Sequence, residues 1–427
     1  MSMMVIAQIL MGIVLLLMIS GKTPLYLTAI LGSAVVAVVA GFPLSGNEPV
    51  TLTKLVNSGL ISVVADMTGV LLFLGVLEGS GFLAVIVRAV IRWGVRIGGG
   101  PGILAAAGIA AGIIGMLTGY SPPIVTGAIA CPAAVKMGVD PNRTAGSVGH
   151  AGILGNFGGF THPTQVALIG VAGIGFGLIN VAGIIAALTV IGVAFIRNYL
   201  YMKKAGTLMT PAEAEKMLAD TEENDKQIST FKACLPFLVL VLGFITGTPV
   251  FIVGMACGLL VILLARMTPS LGEQEMLKGL RRMAIPLVAT IGFVFMSSVI
   301  KAIGLTDIVS AALEPFLNIS PILVMLFVSV LAGTVTQSYS ASGALTIPLI
   351  TVVINAGANP LAACIAACGG AAIMQHFLTG GPVANLPTLI PVTPGSDLKK
   401  ANLFQRPNQL CGVAMVAIMA LLVNALM

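Results

Sequence analysis

Long apolar runs separated by short polar interruptions make up most of this chain. An α-helix needs about 20 apolar residues to cross roughly 30 Å of hydrocarbon. The pattern therefore predicts an all-α polytopic membrane protein with about 10–12 spans. The predicted spans are 4–20, 25–41, 59–77, 102–119, one or two within 164–196, 233–246, 250–265, 283–300, 321–335, 345–356, 361–378 and 408–426.

The polar interruptions recur in the second half of the chain. Gly-Val-Asp-Pro at 138–141 recurs 219 residues later as Gly-Ala-Asn-Pro at 357–360, and Pro163 recurs at the same spacing as Pro382. Glycine, proline and hydroxyl residues inside apolar sequence are typical of broken helices and re-entrant hairpins around a midplane binding site. The repeat predicts two similar halves, each with one broken helix and one helical hairpin.

The charge distribution predicts that the two repeats are inverted. Three arginines recur every four residues along the apolar segment 82–97, beside Trp93. That pattern is typical of a helix lying at the cytoplasmic interface, and a span end with snorkelling arginines fits equally well. The equivalent segment 301–314 carries one lysine against Asp307 and Glu314. Because cytoplasmic segments are rich in Lys and Arg, this difference favours opposite orientations.

The domain organisation follows from these patterns. Residues 197–232 hold six basic and six acidic side chains, which is typical of a solvated linker. The N-terminal run lacks the basic region of a signal peptide, so we expect a retained first span. The predicted parts are N-terminal scaffold spans (1–58), a first repeat with hairpin and broken helix (59–196), a cytoplasmic linker (197–232), a scaffold hairpin with a basic loop (233–280), a second repeat (281–398) and a C-terminal span (399–427).

Composition excludes most other classes of protein. With 57% hydrophobic and 8% charged residues and a mean hydropathy of +1.07, the chain cannot form a soluble globule. The net charge of +6 lies mostly in loops, so no nucleic-acid partner is expected. The six cysteines have neither metal-site spacing nor the density of a disulfide framework, and are predicted to be small core residues.

The polar interruptions are the candidate binding site. Broken helices leave amides and carbonyls that lipid cannot satisfy, so a bound solute can be their partner. Half-helix N-termini suit a carboxylate, whereas carbonyl, hydroxyl and amide oxygens suit Na⁺. Close helix packing is the alternative explanation for small residues. The candidate substrate-binding residues are Thr118, Gly119, Ser121, Asn156, Thr161, His162, Thr164, Thr336, Gln337, Ser338, Ser340, His376, Thr379 and Asn385.

Few titratable groups lie at membrane depth, and each is a candidate for the coupling ion. Asp66 is the clearest acid, and His162 and His376 lie close to the equivalent prolines. Either histidine can carry a proton or simply hydrogen-bond its hairpin. Asp140 is predicted to be a helix cap, since Asn359 replaces it in the repeat. The coupling-ion candidates are Asp66, His162, His376, Asn156 and Asn385, and no metal site other than one for Na⁺ is expected.

Two motifs carry a family resemblance. Thr161-His162-Pro163-Thr164 follows the first interruption, and Gly343 with Thr346-Ile347-Pro348-Leu349 leads to 357–360 in the second half. At these residues the chain resembles the gluconate permease family of the ion transporter superfamily. The resemblance implies a homodimeric carrier with a scaffold and a mobile transport domain, moving a small organic anion with protons or sodium by an elevator-like stroke. It points to Thr161, His162, Thr164 and His376.

The chain departs from that family at one place. Where the family pattern has a His-x-Asn-Asp-like cluster, the chain has His376-Phe377-Leu378-Thr379. This difference bears on whether the substrate is a sugar acid and on which ion is coupled.

The predicted function is secondary active transport of a small carboxylate, hydroxy acid or sugar acid across a bacterial inner membrane. The expected partners are this anion, the bilayer and a second copy of the chain, with H⁺ or Na⁺ coupling and no cofactor. A cation/proton antiporter of the same fold is the alternative. An enzyme is not expected, because the chain has no His-Glu-x-x-His motif and no serine, histidine and acid spaced for a triad. A channel is disfavoured, because the sequence shows no ring-forming selectivity filter.

Overall fold

The computed structural model describes residues 2–23, 25–60, 62–118, 124–210, 212–214, 216, 228–282, 284–381 and 385–427. Within these residues all regular structure is helical. The first half contains α1 (Met3–Ser20), α2 (Leu25–Val39), α3 (Leu52–Asn57), α4 (Ser62–Gly79), α5 (Phe82–Thr118), α6 (Ile124–Lys136), α7 (Pro141–Val148), α8 (Gly152–Gly158), α9 (Pro163–Val171) and α10 (Leu178–Ala205). The second half contains α11 (Thr230–Ile245), α12 (Val250–Leu264), α13 (Pro269–Arg282), α14 (Ala284–Ala302), α15 (Leu305–Leu317), α16 (Pro321–Thr336), α17 (Tyr339–Asn355), α18 (Pro360–Met374), α19 (Asn385–Leu389) and α20 (Leu398–Leu426).

The two halves have the same order of elements. α1 to α4 correspond in order to α11 to α14, and the kinked α5 corresponds to α15 followed by α16. α6 matches α17, the pair α7 and α8 matches the single α18, and α9 and α10 match α19 and α20. This order confirms an all-α fold with a broken helix in each half, and with α16 and α17 forming the second hairpin.

Several helices pack across the halves rather than within them. α4 of the first half packs against α12 and α13 of the second, and α14 of the second half packs against α2 and α3 of the first. α9 lies against α14 and α17, so the first broken helix also contacts the other half. α10 and α20 pack against each other. The halves are therefore interleaved.

Helix length and composition identify the spans within the described residues. α1, the stretch 82–116 of α5, α10 and α20 are each long and apolar enough to cross a membrane. A fifth candidate is α14 with α15, which meet at a bend of 78°. Six further apolar helices have only 10–17 residues. Several of these short helices, including α16, α17 and α18, are arms of a hairpin or of a broken helix, which end at the interruptions.

Helix α5 is divided by a kink at Gly98 and Gly99. Neither residue has helical backbone angles, and Gly99 lies in the left-handed region at φ +55°, which glycine tolerates because it has no Cβ. The arginine-bearing part 82–97 is therefore separate from the apolar part beyond the kink, as its sequence predicts. Trp93 is 61% exposed on this part.

Helix caps form where the repeated Gly-x-Asp/Asn-Pro motif predicts them. The Asp140 carboxylate accepts a hydrogen bond of 3.0 Å from the Arg143 amide. In the second half the Asn359 side chain accepts from the amides of Leu361 and Ala362 at 2.9 and 3.2 Å. Both oxygens satisfy amides that have no partner inside the helix. The prediction that Asp140 is a cap is confirmed.

The apolar run 164–196, predicted to hold one or two spans, is divided by a break at 172–177 into α9 and α10. The predicted start of the span 345–356 is wrong. α17 begins at Tyr339 rather than at 345, because the Ser338 hydroxyl caps it by accepting from the Ala341 amide. The helix therefore includes the polar residues that follow Ser338. The cap stabilises this first turn because it satisfies an amide that has no partner inside the helix.

The C-terminal helix also begins earlier than predicted. α20 starts at Leu398 rather than at 408, after Asp397 caps it by accepting from the Lys400 amide at 2.9 Å. Its first three turns are polar in sequence, yet Asn402 and Gln405 are buried against the rest of the protein. A helix that buries polar side chains in the protein does not show the apolar pattern of a span.

The cysteines are all free, but they are not all core residues. Cys234 and Cys411 are exposed. Apolar helices in a membrane present small hydrophobic residues to lipid as well as to the interior, so apolar context alone does not predict burial. The buried cysteines are Cys131, Cys257, Cys364 and Cys368.

Candidate functional site

The first broken helix opens between α8 and α9. α8 ends at Gly158, and residues 159–162 are not helical. The Asn180 side chain of α10 donates to the Gly158 carbonyl at 3.1 Å and to the Gly159 carbonyl at 2.5 Å. Carbonyls at a helix end have no intrahelical partner, and here a side-chain amide from the next long helix supplies one. The break is thus held open by the protein itself.

Polar side chains with unused hydrogen-bonding atoms line this break. His162 caps α9, and its Nδ1 accepts from the Thr164 amide at 3.3 Å. The Thr161 hydroxyl is completely buried and has no partner within the described residues. Gln165 donates to the Phe157 carbonyl at 2.9 Å, while its side-chain oxygen also has no described partner. Buried polar atoms are nearly always paired, so these two indicate a place where a solute or water completes the site.

The tip of the second hairpin lies between α16 and α17. Gln337 adopts the left-handed conformation at φ +48°, which is uncommon for a residue other than glycine. The Thr336 hydroxyl donates to the carbonyls of Ala332 and Ser338 at 2.7 and 3.0 Å. The turn is therefore tight, and α17 begins at once with its N-terminal amides directed to the tip.

The second broken helix binds this tip. α18 ends at Met374, and the following residues up to 381 are not helical within the described chain. The Gln375 side-chain oxygen accepts from the Tyr339 amide at 2.9 Å, and its nitrogen donates to the Ala372 carbonyl at 3.1 Å. The Gln337 side chain accepts from the Gly380 amide at 3.0 Å. Two glutamines thus connect the hairpin to the unwound segment of the same half.

The two halves meet at these broken elements. The His162 ring stacks on the Tyr339 ring with centroids 4.4 Å apart and planes at 30°. The Thr164 hydroxyl donates to the Tyr339 carbonyl at 3.3 Å. The N-termini of α9 and α17 therefore lie side by side, and each carries a positive partial charge. Neither 144–196 nor 315–396 contains an Asp, Glu, Lys or Arg, so helix termini and polar groups set the electrostatics of this site.

The predicted site residues fall into three groups. The first-half residues at the meeting point are Thr161, His162 and Thr164, and the second-half residues there are Thr336, Gln337, Ser338 and Ser340, the last in the first turn of α17. Buried residues close by in sequence are Asn156 in α8, Asn385 at the start of α19 and His376 after α18, with Thr379 half-buried beside Gly380. Gly119 and Ser121 lie outside the described residues, as does the side chain of Thr118.

The first hairpin contacts the first broken helix through its described arm. The Met116 carbonyl near the end of α5 accepts a hydrogen bond of 3.0 Å from the Phe160 amide. Each hairpin thus contacts the unwound segment of its own half, since Gln337 and Gly380 form the corresponding contact in the second.

Asp66 lies in a different environment. Its carboxylate accepts a hydrogen bond of 2.9 Å from the Phe251 amide, at the start of α12. Amides in the first turn of a helix lack intrahelical partners, and a carboxylate there is stabilised by the helix dipole. The described contact of Asp66 is therefore a cap across the halves.

Sequence reasoning missed several of the residues that organise the site. Tyr339 and Gln375 lie inside the predicted interruptions, but only their contacts show that they join the broken elements. Asn180 is one of very few polar residues in the long apolar run 164–196. An isolated amide in such a run is a signal that could have identified it, because membrane helices bury amides to satisfy other backbone groups.

Comparison with known proteins adds one finding. No protein-family model and no curated protein sequence matches the chain. The structure is similar to the crystal structure of the Alcanivorax borkumensis YdaH transporter, which has been described as having an unusual topology. The TM-score is 0.59 at 16% sequence identity, and the match covers 97% of each chain. The chain shares its fold with this protein. At this sequence identity the comparison shows that the two proteins share a fold. The predicted all-α polytopic fold class is confirmed.

Proposed function

We propose that this protein is a secondary active transporter that moves a small organic anion across the bacterial inner membrane. The observation that carries the proposal is the meeting of two helix N-termini from opposite halves, at Thr164 and Tyr339. Two positive helix ends favour a carboxylate without requiring an arginine or lysine. The unpartnered Thr161 hydroxyl beside them suits a hydroxy acid or sugar acid.

The same elements offer groups for a coupling ion. The C-terminal ends of α16 and α18 lie beside the N-terminal end of α17, since Gln375 after α18 accepts from the Tyr339 amide. Carbonyl and amide oxygens suit Na⁺, and buried imidazoles suit H⁺. Symport of a cation with the anion would reduce the net charge carried through a site that has no ionised side chain of its own.

The proposed mechanism is alternating access by an elevator-like movement. The hairpins and broken helices would move together as the transport domain. Gln337 and Gln375 connect the second hairpin to its broken helix, the bond from Phe160 to Met116 connects the first pair, and the bond from Thr164 to Tyr339 joins the halves. The scaffold would comprise the spans at 1–58 and the hairpin at 233–280, and a homodimer would anchor it. The full-length structural likeness to a transporter supports this proposal.

Reconstitution tests the proposal. Purified protein in proteoliposomes would be offered ¹⁴C-labelled gluconate, lactate and other small hydroxy acids under an imposed pH gradient, a sodium gradient or neither. We expect one substrate to accumulate only when one cation gradient is present. Protein-free liposomes and vesicles with collapsed gradients are the controls. Absence of flux under every gradient, together with no binding of these acids to the solubilised protein, would refute the proposal.

A cation/proton antiporter is the second candidate. The observation in its favour is the pair of buried histidines, His150 and His376, whose ring nitrogens have no described partners. An antiporter would dissipate a pH gradient when Na⁺ or K⁺ is added to vesicles without any organic solute. A pH-sensitive dye trapped in the lumen distinguishes the two functions, since a symporter needs its anion for that response.

A further inference from the structure

The junction of α7, α10 and α20 is strongly basic. These three helices pack against one another, and none of them contains an Asp or Glu. Their basic residues are Arg143, Arg197, Lys203, Lys204, Lys399, Lys400 and Arg406. The two acids that flank α7 and α20, Asp140 and Asp397, each accept a hydrogen bond from a backbone amide as helix caps. The junction therefore carries an excess of positive charge.

Two arginines of this junction lie over the same aromatic ring. The Arg197 guanidinium is 4.3 Å from the centre of the Phe404 ring, and the Arg143 guanidinium is 5.2 Å from the same centre. Arg143 also lies over the Tyr201 ring at 3.9 Å and donates to the Arg197 carbonyl at 3.4 Å. Helices α7, α10 and α20 thus bring two positive charges together.

Hydrogen bonds orient the Arg197 guanidinium and leave most of its donors unused. Its Nη1 donates to the Phe404 carbonyl and to the Asn408 side-chain oxygen, each at 2.6 Å. A guanidinium has five N–H donors. Nε and Nη2 of Arg197, like Nε and Nη2 of Arg143, form no hydrogen bond with the described residues. Neither arginine forms an ion pair with a described acid.

An anion would therefore stabilise this pair of arginines. Aromatic rings attract a cation through their π-electrons, but they do not neutralise it. Both arginines are half-buried, and like charges that are partly removed from water repel each other more strongly than they do in solvent. A ligand with a negative charge reduces this repulsion and accepts the unused N–H donors.

The neighbouring surface is apolar, which indicates the kind of anion. Leu200 of α10 and Leu403 of α20 are 59% and 67% exposed. Both helices are long and apolar enough to cross a membrane, and α10 ends in the basic pair Lys203 and Lys204. Tyr201 is 47% exposed, and tyrosine is enriched where spans meet the lipid head groups. Cations beside an apolar surface at the end of a span suit an anionic lipid.

We propose that Arg143 and Arg197 form a binding site for the head group of an anionic phospholipid of the phosphatidylglycerol class. The phosphate oxygens accept charge-assisted hydrogen bonds from the two guanidiniums, and the acyl chains lie along Leu200 and Leu403. Basic pockets between membrane helices bind head groups of this kind. The bound lipid connects α7 to α10, two helices that the chain places 30 or more residues apart.

Lipid binding can be measured on the full-length protein without any transport assay. The protein would be delipidated in detergent and titrated with dioleoyl-phosphatidylglycerol or dioleoyl-phosphatidylcholine, with native mass spectrometry counting the lipids retained. Phosphatidylcholine has the same acyl chains and no net charge. We expect one phosphatidylglycerol per chain to bind at least about tenfold more tightly than phosphatidylcholine. Equal affinity for the two lipids would overturn the proposal.

Soluble anions distinguish a lipid from a free anion at the same arginines. Inorganic phosphate or gluconate would be added at the concentration of the bound phosphatidylglycerol. We expect neither to displace the lipid, because neither has acyl chains to bury against the apolar surface. Displacement by either anion would show a site for soluble anions and would overturn the assignment to a lipid.

Single variants locate the site. Arg197→Gln and Arg143→Gln should each weaken phosphatidylglycerol binding about fivefold, as expected for one basic side chain near lipid head groups, and leave phosphatidylcholine binding unchanged. Arg281→Gln is the matched control, because Arg281 is an exposed arginine on α13, outside the junction. It should bind as the wild type does.

Arg143→Gln keeps the test decisive if Arg197→Gln fails to fold. Arg197 contributes two hydrogen bonds of 2.6 Å to α20, whereas the described hydrogen bond of the Arg143 side chain is only one, at 3.4 Å. Wild-type affinity for phosphatidylglycerol in Arg143→Gln, or an equal loss of affinity in Arg281→Gln, would overturn the site.

Discussion

Thr164 of the first half and Tyr339 of the second are joined by a hydrogen bond of 3.3 Å from the threonine hydroxyl to the tyrosine carbonyl. Each of these residues lies in the first turn of its helix, which follows a break in the case of α9 and the hairpin tip in the case of α17. The bond therefore fixes two helix N-termini beside each other, although the residues are 175 positions apart in the chain. A site assembled in this way depends on both halves at once.

Thr161→Val should weaken substrate binding without destabilising the protein. The Thr161 hydroxyl has no partner in the described protein, so valine removes only a bond to the solute. One such bond is worth about 1 kcal/mol, or roughly a fivefold change in Kd. Isothermal titration with the transported acid would measure it.

Thr144→Val is the matched control. Its hydroxyl is also buried without a described partner, but it lies on α7, outside the breaks. We expect unchanged affinity in this variant. Equal affinity of Thr161→Val and the wild type would show that Thr161 serves packing only.

Gln375→Leu should loosen the second hairpin and lower stability. Leucine leaves the buried Tyr339 amide without its 2.9 Å partner, which costs about 1–3 kcal/mol. A thiol-reactive dye that reports exposure of the buried cysteines would give Tm. Gln8→Leu, which removes a 2.7 Å bond to the Ile303 carbonyl at a partly exposed position, should have a smaller effect. A larger loss in Gln8→Leu would contradict the expectation.

Gly183→Ala should be destabilising, because α10 touches the end of α8 there. A methyl group on Gly183 would lie 2.2 Å from the Phe157 carbonyl oxygen, and overpacking of this kind costs about 1–3 kcal/mol. Gly192 lies on the same helix and has open space around it. Gly192→Ala should therefore change stability by less than about 1 kcal/mol. Similar Tm values for both variants would mean that the approach of α8 to α10 is not as close as described.

Asp66→Asn should retain gradient-driven transport. The described role of Asp66 is to accept from the Phe251 amide, and asparagine keeps an acceptor oxygen for that bond. Asp66→Leu removes the acceptor and should lower Tm. If Asp66→Asn folds with wild-type stability but no longer responds to a cation gradient, Asp66 carries the coupling ion, as the sequence alone suggested.

The sequence predicts the repeat and the breaks because these depend on local chemistry. Glycine and proline favour the end of a helix, so the positions of Gly158 and Pro163 already indicate a break between α8 and α9. The caps at Asp140 and Asn359 follow from the same local rules. The candidate site residues beside these breaks could therefore be named in advance.

The organising contacts could not be predicted, because they join residues that are distant in the chain. Nothing near Gln375 indicates that its partner is Tyr339, and Gln405 lies in a polar stretch that has the composition of a solvated loop. Only burial shows that this stretch lines the interior. The stacking of His162 on Tyr339 depends in the same way on the packing of two halves.

The reciprocal packing of α4 against α12 and α13, and of α14 against α2 and α3, has a consequence for biosynthesis. During translation α4 enters the membrane before α12 and α13 have been synthesised. The surface of α4 that contacts these two helices therefore remains unpaired until they are inserted. Tertiary assembly is therefore a late event, completed only after translation has passed α14. Two polypeptides divided between α10 and α11 would be expected to regain the native arrangement only when both are inserted into the same bilayer.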